Sequence, residues 1–239
     1  MDLLKNYGSS ASSESEEEEK VEKEVDNKPT RLEVPSSIKS LFGDAGGQHQ
    51  DDPSLHQGRV RGFAHERGLW AGLVSIEVGP PLEDWTRLLN QLSDVSPCPE
   101  PLHVSLSRPL QLRHLWISSL VADLRKRASK LLHFEIIFGD VTVLVNEERT
   151  RTFVCVDAVG SGLETACSLA EAAGAEYRLP PYYEGRRFHV SIGWALGDQE
   201  TRLKAALANL VLPSPASFAV TQLQLKAGNQ QYQIPLQHR

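Results

Sequence analysis

Two short segments of this 239-residue chain carry one pattern, Leu102-His103-Val104-Ser105-Leu106 and Phe188-His189-Val190-Ser191-Ile192. Each reads apolar, His, apolar, Ser, apolar. Side chains of a strand alternate between faces, so the His and Ser of each segment share one face and the apolar residues enter the core. An imidazole titrates near neutrality and can take a proton when neutral or give one when charged, so two flanking one phosphodiester could act as base and acid. The serine hydroxyls beside them could hydrogen-bond the non-bridging phosphate oxygens. A nucleophilic-serine hydrolase fits less well, because no G-x-S-x-G elbow is present and both serines fall in mid-strand. The plain alternative is two unrelated strand histidines satisfied by their neighbours. One His-x-Ser is expected about 0.7 times by chance at this composition, but two copies with all three apolar flanks have odds on the order of one in a thousand. The matched pair is therefore the candidate catalytic centre.

Mixed α and β elements must position it. Strand-length apolar runs are predicted at Gly72–Val78, Leu102–Ser107, Phe134–Phe138, Val141–Val145, Thr152–Ala158, Phe188–Ala195, Ala216–Leu225 and Tyr232–Ile234. Helical spacing covers Leu82–Val95, Leu112–Leu132, Gly162–Gly174 and Glu200–Leu210. In the second helix Leu112, Leu115, Ile117, Leu120, Val121, Leu124, Ala128 and Leu131 form one apolar stripe opposite Arg125, Lys126 and Lys130. Gly139-Asp140 between two β-rich runs reads as a hairpin turn. The two His-Ser segments lie 86 residues apart in the numbering, each after one helical stretch and before another. The fold expected is α+β, with two similar lobes whose antiparallel sheets, flanked by helices, surround a central catalytic cleft.

The formal charge of −6 is unevenly placed: residues 1–57 hold 13 acids and 6 bases, the remainder 18 acids and 19 bases. Residues 1–57 read as a disordered acidic tail and linker, with SSASSESEEEEKVEKEVD at its centre and a short apolar run at Val34–Phe42. The body, 58–239, is near neutral, which argues against coating duplex nucleic acid through a global positive field. Cys98, Cys155 and Cys167 are odd in number and far apart, so neither a disulfide framework nor a zinc ribbon is indicated. The start MDLLKNYGSS has no signal-peptide pattern, and no apolar run of about 18 residues suggests a membrane span. No H-E-x-x-H or Gly-Lys-Ser/Thr occurs, so neither a metal centre nor a phosphate loop is expected. His114 and His133 are read as helix-end residues.

The paired H-V-S segments resemble the two-histidine phosphoesterase superfamily, whose two lobes each give one H-x-[ST] motif to a central groove. The run Gly58-Arg59-Val60-Arg61-Gly62-Phe63-Ala64-His65-Glu66-Arg67-Gly68-Leu69-Trp70, with Thr150-Arg151-Thr152-Phe153 and Lys226-Ala227-Gly228-Asn229, is similar to the branch that trims the 3′ end of U6 small nuclear RNA, over roughly residues 58–236. His65 belongs to neither motif and is read, with Arg67, as scaffold. The resemblance implies a nuclear, metal-independent 3′-to-5′ exoribonuclease that needs no cofactor. Its substrate would be the single-stranded, oligouridine 3′ end of U6 RNA, and nothing demands more than a monomer. The 2′-hydroxyl of the penultimate nucleotide would attack, leaving a 2′,3′-cyclic phosphate. His189 is assigned as base and His103 as acid, with Ser105 and Ser191 on the phosphate; the near symmetry of the motifs leaves the assignment open.

Three further residues are candidates for substrate binding. Tyr183, in the turn-rich loop before His189, could stack on a base, worth roughly 1–3 kcal/mol, and the resemblance favours it over Tyr182. Arg187 shares the strand face of His189 by the two-residue rule and could reach phosphate or sugar, although a plain exposed arginine fits equally well. The resemblance places Glu147, in Asn146-Glu147-Glu148-Arg149, near the pocket as a base contact; a solvated turn is its alternative. Two other functions fit the same motifs: a cyclic phosphodiesterase opening 2′,3′-cyclic phosphates with water, and a non-catalytic nucleotide- or RNA-binding module.

Overall fold

Strand periodicity builds most of the chain. The structure, a computed structural model, describes residues 66–79 and 82–238; the tail and linker assigned to 1–57, the run Val34–Phe42 and His65 lie outside the described residues. Among the described residues ten strands are β1 (Leu69–Val78), β2 (Ser96–Pro97), β3 (Leu102–Ser105), β4 (Leu110–Arg113), β5 (Phe134–Val145), β6 (Arg151–Val159), β7 (His189–Leu196), β8 (Ala216–Val220), β9 (Gln222–Ala227) and β10 (Gln230–Pro235). Four α-helices among them are α1 (Glu83–Arg87), α2 (His114–Ala128), α3 (Leu163–Ala175) and α4 (Glu200–Leu207). The strands form one sheet in the order β10-β9-β1-β3-β7-β6-β5-β8, with β4 also on β1 and β2 on β7. The ladders are antiparallel. The sheets expected for two lobes are thus strung into one, and its halves meet where β3 pairs with β7 at Val104 and Val190.

Alternation decides the two faces. Leu102 and Val104 of β3, with Leu106 just past it, and Val190 and Ile192 of β7 are buried in one apolar cluster with Ile117, Leu120 and Leu124 of α2 and Ala166, Cys167 and Ala170 of α3. Each large aliphatic side chain so buried stabilises the fold by roughly 1.5–3 kcal/mol. The helices thereby cover the apolar face of the β3–β7 seam, and the intervening residues, His103, Ser105, His189 and Ser191, are left on the other. The small residues on the buried stripe of α3, Ala166, Ala170, Ala173 and Gly174, allow a close approach, with Leu179 only 3.3 Å from where a Cβ on Gly174 would stand.

Several expectations are corrected. Gly139-Asp140 is not a hairpin turn: β5 runs through it as one strand, paired with β8 before it and with β6 along most of its length. A bulge absorbs the turn residues, three steps on β5 from Phe138 to Val141 matching two on β6 from Ala158 to Val156. The span Ala216–Leu225 divides into β8, at one end of the strand order, and β9, next to the other end. The helix expected over Leu82–Val95 is only α1 followed by a 3-10 turn at Leu88–Gln91. The helix expected from Leu112 starts at His114, because Leu110 and Leu112 pair with Gly72 and Trp70 on β1. Leu115, placed on the apolar stripe of α2, is 86% exposed.

Candidate active site

The register across the seam sets the geometry. With Val104 opposite Val190, the next residues of the antiparallel pair bring Ser105 across from His189 and His103 across from Ser191. Each imidazole therefore faces the hydroxyl of the other strand, and the two histidines lie on the diagonal, residues roughly 7–8 Å apart in such a ladder with their Cβ atoms somewhat closer. Neighbouring strands extend the two rows. Ser75 of β1 is opposite Ser105 and Glu77 opposite His103, while Asp157 of β6 is opposite His189 and Cys155 opposite Ser191. Glu77 and Asp157 thus take equivalent places outside the two histidines. The Cys155 Sγ lies 3.4 Å from the Ser191 Oγ.

Both imidazoles are held by backbone carbonyls two residues earlier. His189 Nδ1 is 3.1 Å from the Arg187 carbonyl oxygen, so with Nδ1–H donating, Nε2 is left free to take a proton. His103 makes the corresponding bond to the Pro101 carbonyl. Desolvation by the surrounding strands is the main reason that His103 binds its proton less tightly than the ordinary value of 6.5; the Pro101 carbonyl opposes it, the positive charges of Lys226 and His189 add to it, and Glu77 opposes it. His189 is lowered from 6.5 first by desolvation, against which the Arg187 carbonyl and the Asp157 carboxylate pull upward, while the Arg187 cation adds to the lowering. The charge of His189 is felt at His103, which places the two imidazoles close to one another. Burial pushes the Cys155 thiol up to about 12, so it is neutral at physiological pH.

The loop before β7 carries the aromatic candidates. Tyr182 is buried, stacked on Phe188 at 5.6 Å between ring centroids, and its backbone N–H donates to Glu171 Oε1 at 2.8 Å. Tyr183 is 43% exposed, edge-on to Tyr182, with the Arg108 guanidinium 4.1 Å over its ring. Of the two tyrosines it is the one with ring surface open to a base. Arg187 lies just before β7 rather than on it, and its Nη2 donates to Asp157 Oδ2 at 2.9 Å. Glu147 is exposed in the turn from β5 to β6, past Arg151, which pairs with Leu196. From the Cys155 level to Arg151 is four residues along β6, on the order of 13 Å, so Glu147 is not brought beside the His-Ser group. Arg67 is exposed. Among the described residues no group of three or more His, Cys, Asp and Glu could hold a metal ion, and no helix is long and apolar enough to cross a membrane.

Asp157, Glu77 and Arg108 were missed in the sequence. A lone acid within the apolar run Val154-Cys155-Val156-Asp157-Ala158 was the available signal, since a charge inside a buried strand needs a partner.

Two histidines and two serines crossed over a strand seam are the residues on which the resemblance to the two-histidine phosphoesterases rests. A family model described as "HVSL: Uncharacterised conserved protein" matches residues 32–235, and the chain carries that string at His103-Val104-Ser105-Leu106. U6 snRNA phosphodiesterase 1 of Danio rerio is 33% identical over 226 residues, covering 87% of this chain and 81% of that protein. The Drosophila melanogaster protein of the same name is 31% identical and covers 98% of this chain and 99% of its own. The chain belongs to the family of the U6 snRNA phosphodiesterase 1 proteins. Among solved structures, Kluyveromyces marxianus Usb1 aligns with a TM-score of 0.49 at 15% identity, covering 71% of this chain and 98% of that one. The protein is a phosphodiesterase.

Proposed function

We propose that this phosphodiesterase trims the oligouridine 3′ end of U6 small nuclear RNA, one nucleotide at a time from the 3′ end, by internal transesterification. The observation that carries the reading is the crossed quartet, His103 across from Ser191 and Ser105 across from His189, on the uncovered face of one seam. The two halves of the sheet act as the two lobes of a cleft whose floor is that seam. The scissile phosphate sits over the quartet, its non-bridging oxygens taking hydrogen bonds from Ser105 and Ser191. One imidazole removes the proton of the penultimate 2′-hydroxyl through Nε2. The 2′-oxygen bonds to phosphorus, the bond to the 5′-oxygen of the last nucleotide breaks, and the other imidazole, protonated, gives its proton to that oxygen. The products are a 2′,3′-cyclic phosphate on the shortened RNA and the last residue with a free 5′-hydroxyl, a nucleoside in the first turn and a nucleoside 2′,3′-cyclic phosphate in each later one.

Electrostatics supports the division of labour. Both histidines are lowered from 6.5, chiefly by desolvation, which favours the neutral imidazole in the free protein. A phosphodiester anion between them favours one proton on the pair, converting two bases into a base and an acid. Tyr183 stacks the terminal base, Arg187 approaches the backbone with its charge partly balanced by Asp157, and Glu147 is a candidate contact only for a base far along the strand from the quartet. The relatives' U6 RNA substrate supports a nuclear site of action, and the quartet, built from one chain, needs only a monomer.

The test is His103→Ala and His189→Ala, each expected to lower cleavage of a uridine-ended RNA by at least about 10³-fold with binding and melting temperature nearly unchanged. Cleavage surviving either substitution contradicts the reading. Binding by the parent chain with no cleavage at all identifies a binding module instead.

A further inference from the structure

The approach to β7 places a second charged pair against one of the two histidines. Asp157 is directly across the β6–β7 ladder from His189, on the same face, and its side chain is 23% exposed. Its Oδ2 accepts from Arg187 Nη2 at 2.9 Å, and the backbone carbonyl of that same arginine accepts from His189 Nδ1 at 3.1 Å. The other oxygen, Oδ1, is fully buried and has no hydrogen-bond partner. A buried carboxylate oxygen left unmatched costs folding free energy. The place across the ladder from His103 is held by Glu77, but the cation there, Lys226, comes from β9 and not from the residue that holds the imidazole. The linkage of carboxylate, guanidinium and carbonyl therefore singles out His189.

We propose that Asp157 and Arg187 form a charge-balanced positioning pair for His189: the carboxylate anchors the guanidinium, and the anchored residue's carbonyl fixes the imidazole with Nε2 toward the substrate. The pair leaves the imidazole close to electrically neutral surroundings while holding its orientation. The groups that face His189 are Asp157 and Cys155 on β6, Arg187 before β7, and His103 on β3; the Cys155 thiol is neutral, pushed up to about 12. That leaves Asp157 and Arg187 as the opposed charges, the first favouring the imidazolium and the second disfavouring it.

The test uses the full chain and follows the titration of His189 by NMR in Asp157→Asn, which keeps the parent shape, and in Arg187→Gln, which is neutral, polar and shorter. Asp157→Asn removes the anion and frees the cation, so the His189 pKa falls by about 0.5–1 unit; Arg187→Gln removes the cation and it rises by a similar amount. In the double variant it returns to within about 0.3 unit of the parent, and the pH profile of cleavage moves in the same senses. A merely structural role would lower the melting temperature without opposed shifts. Shifts of one sign, or none, overturn the proposal; if Asp157→Asn does not fold, the rise in Arg187→Gln alone decides it. The proposal rests on His189 being catalytic, and the two fail separately: cleavage without the shifts removes the pair, whereas shifts in a chain that cleaves nothing remove the catalytic reading.

Discussion

At the scale of the residue, the two histidines share more than a motif. Each is bonded to a carbonyl two residues earlier and each has a carboxylate across its outer ladder, so the local chemistry is repeated about the seam. Both bind protons less tightly in the folded protein than the ordinary 6.5 of an unfolded chain, chiefly through desolvation. The unfolded state therefore takes up more protons as the pH drops below 6.5, and the stability present above that value is lost as pH falls through the folded values. The expected outcome is a melting temperature that declines between about pH 7 and pH 5, with the decline flattened in His103→Ala and in His189→Ala. A slope unchanged by both substitutions would show that neither imidazole is desolvated. The His and Ser of the quartet were legible because each segment keeps an unbroken two-residue period. Asp157 and Glu77 were not, because which residues stand across a ladder depends on register between strands far apart in the chain, and periodicity carries no register.

Elements hold the quartet in place through the seam and through what closes the ends of the strands. Thr152 of β6 is fully buried and its Oγ1 donates to the Gly197 carbonyl and accepts from the Gln199 N–H, both at 2.8 Å. It ties the end of β6 to the turn that leads from β7 into α4. Thr152→Val keeps the shape and strands both groups, so urea unfolding should show a loss of about 1–3 kcal/mol, with cleavage by the folded fraction near the parent rate. Stability equal to the parent would mean that water replaces the hydroxyl. The same scale shows why some elements were misread. Gly139-Asp140 has turn chemistry, but β6 and β8 pair with the strand on both sides and turn it into a bulge. Leu110 and Leu112 continue the apolar spacing of the following helix, yet β1 claims them as a strand. In both cases tertiary hydrogen bonding outweighed a local signal.

For the whole molecule, the arrangement explains how a chain of net charge −6 can act on RNA. The acidic excess lies within residues 1–57, and over the rest of the chain acids and bases nearly cancel, so attraction to phosphate must be local. The site offers Lys226 near His103 and Arg187 near His189, with Arg108 over the Tyr183 ring, rather than a broad positive surface. That suits the capture of one strand end and not the coating of a duplex. The α+β class was legible from the alternation of strand and helix periods, whereas the joining of all ten strands into one sheet was not, since it rests on a contact between β3 and β7 made at Val104 and Val190. What the motifs did predict, two similar strands brought side by side, is the feature on which the proposed chemistry depends.

That chemistry requires the substrate's own 2′-hydroxyl. The most direct measurement incubates the protein, with EDTA present, with a 5′-labelled RNA ending in several uridines and with a copy whose penultimate ribose is 2′-deoxy, and maps the ends formed. The account predicts stepwise shortening of the ribose substrate to 2′,3′-cyclic phosphate ends and no reaction of the deoxy copy. Equal shortening of both would contradict it, because the nucleophile would then be water or a protein group and not the 2′-hydroxyl.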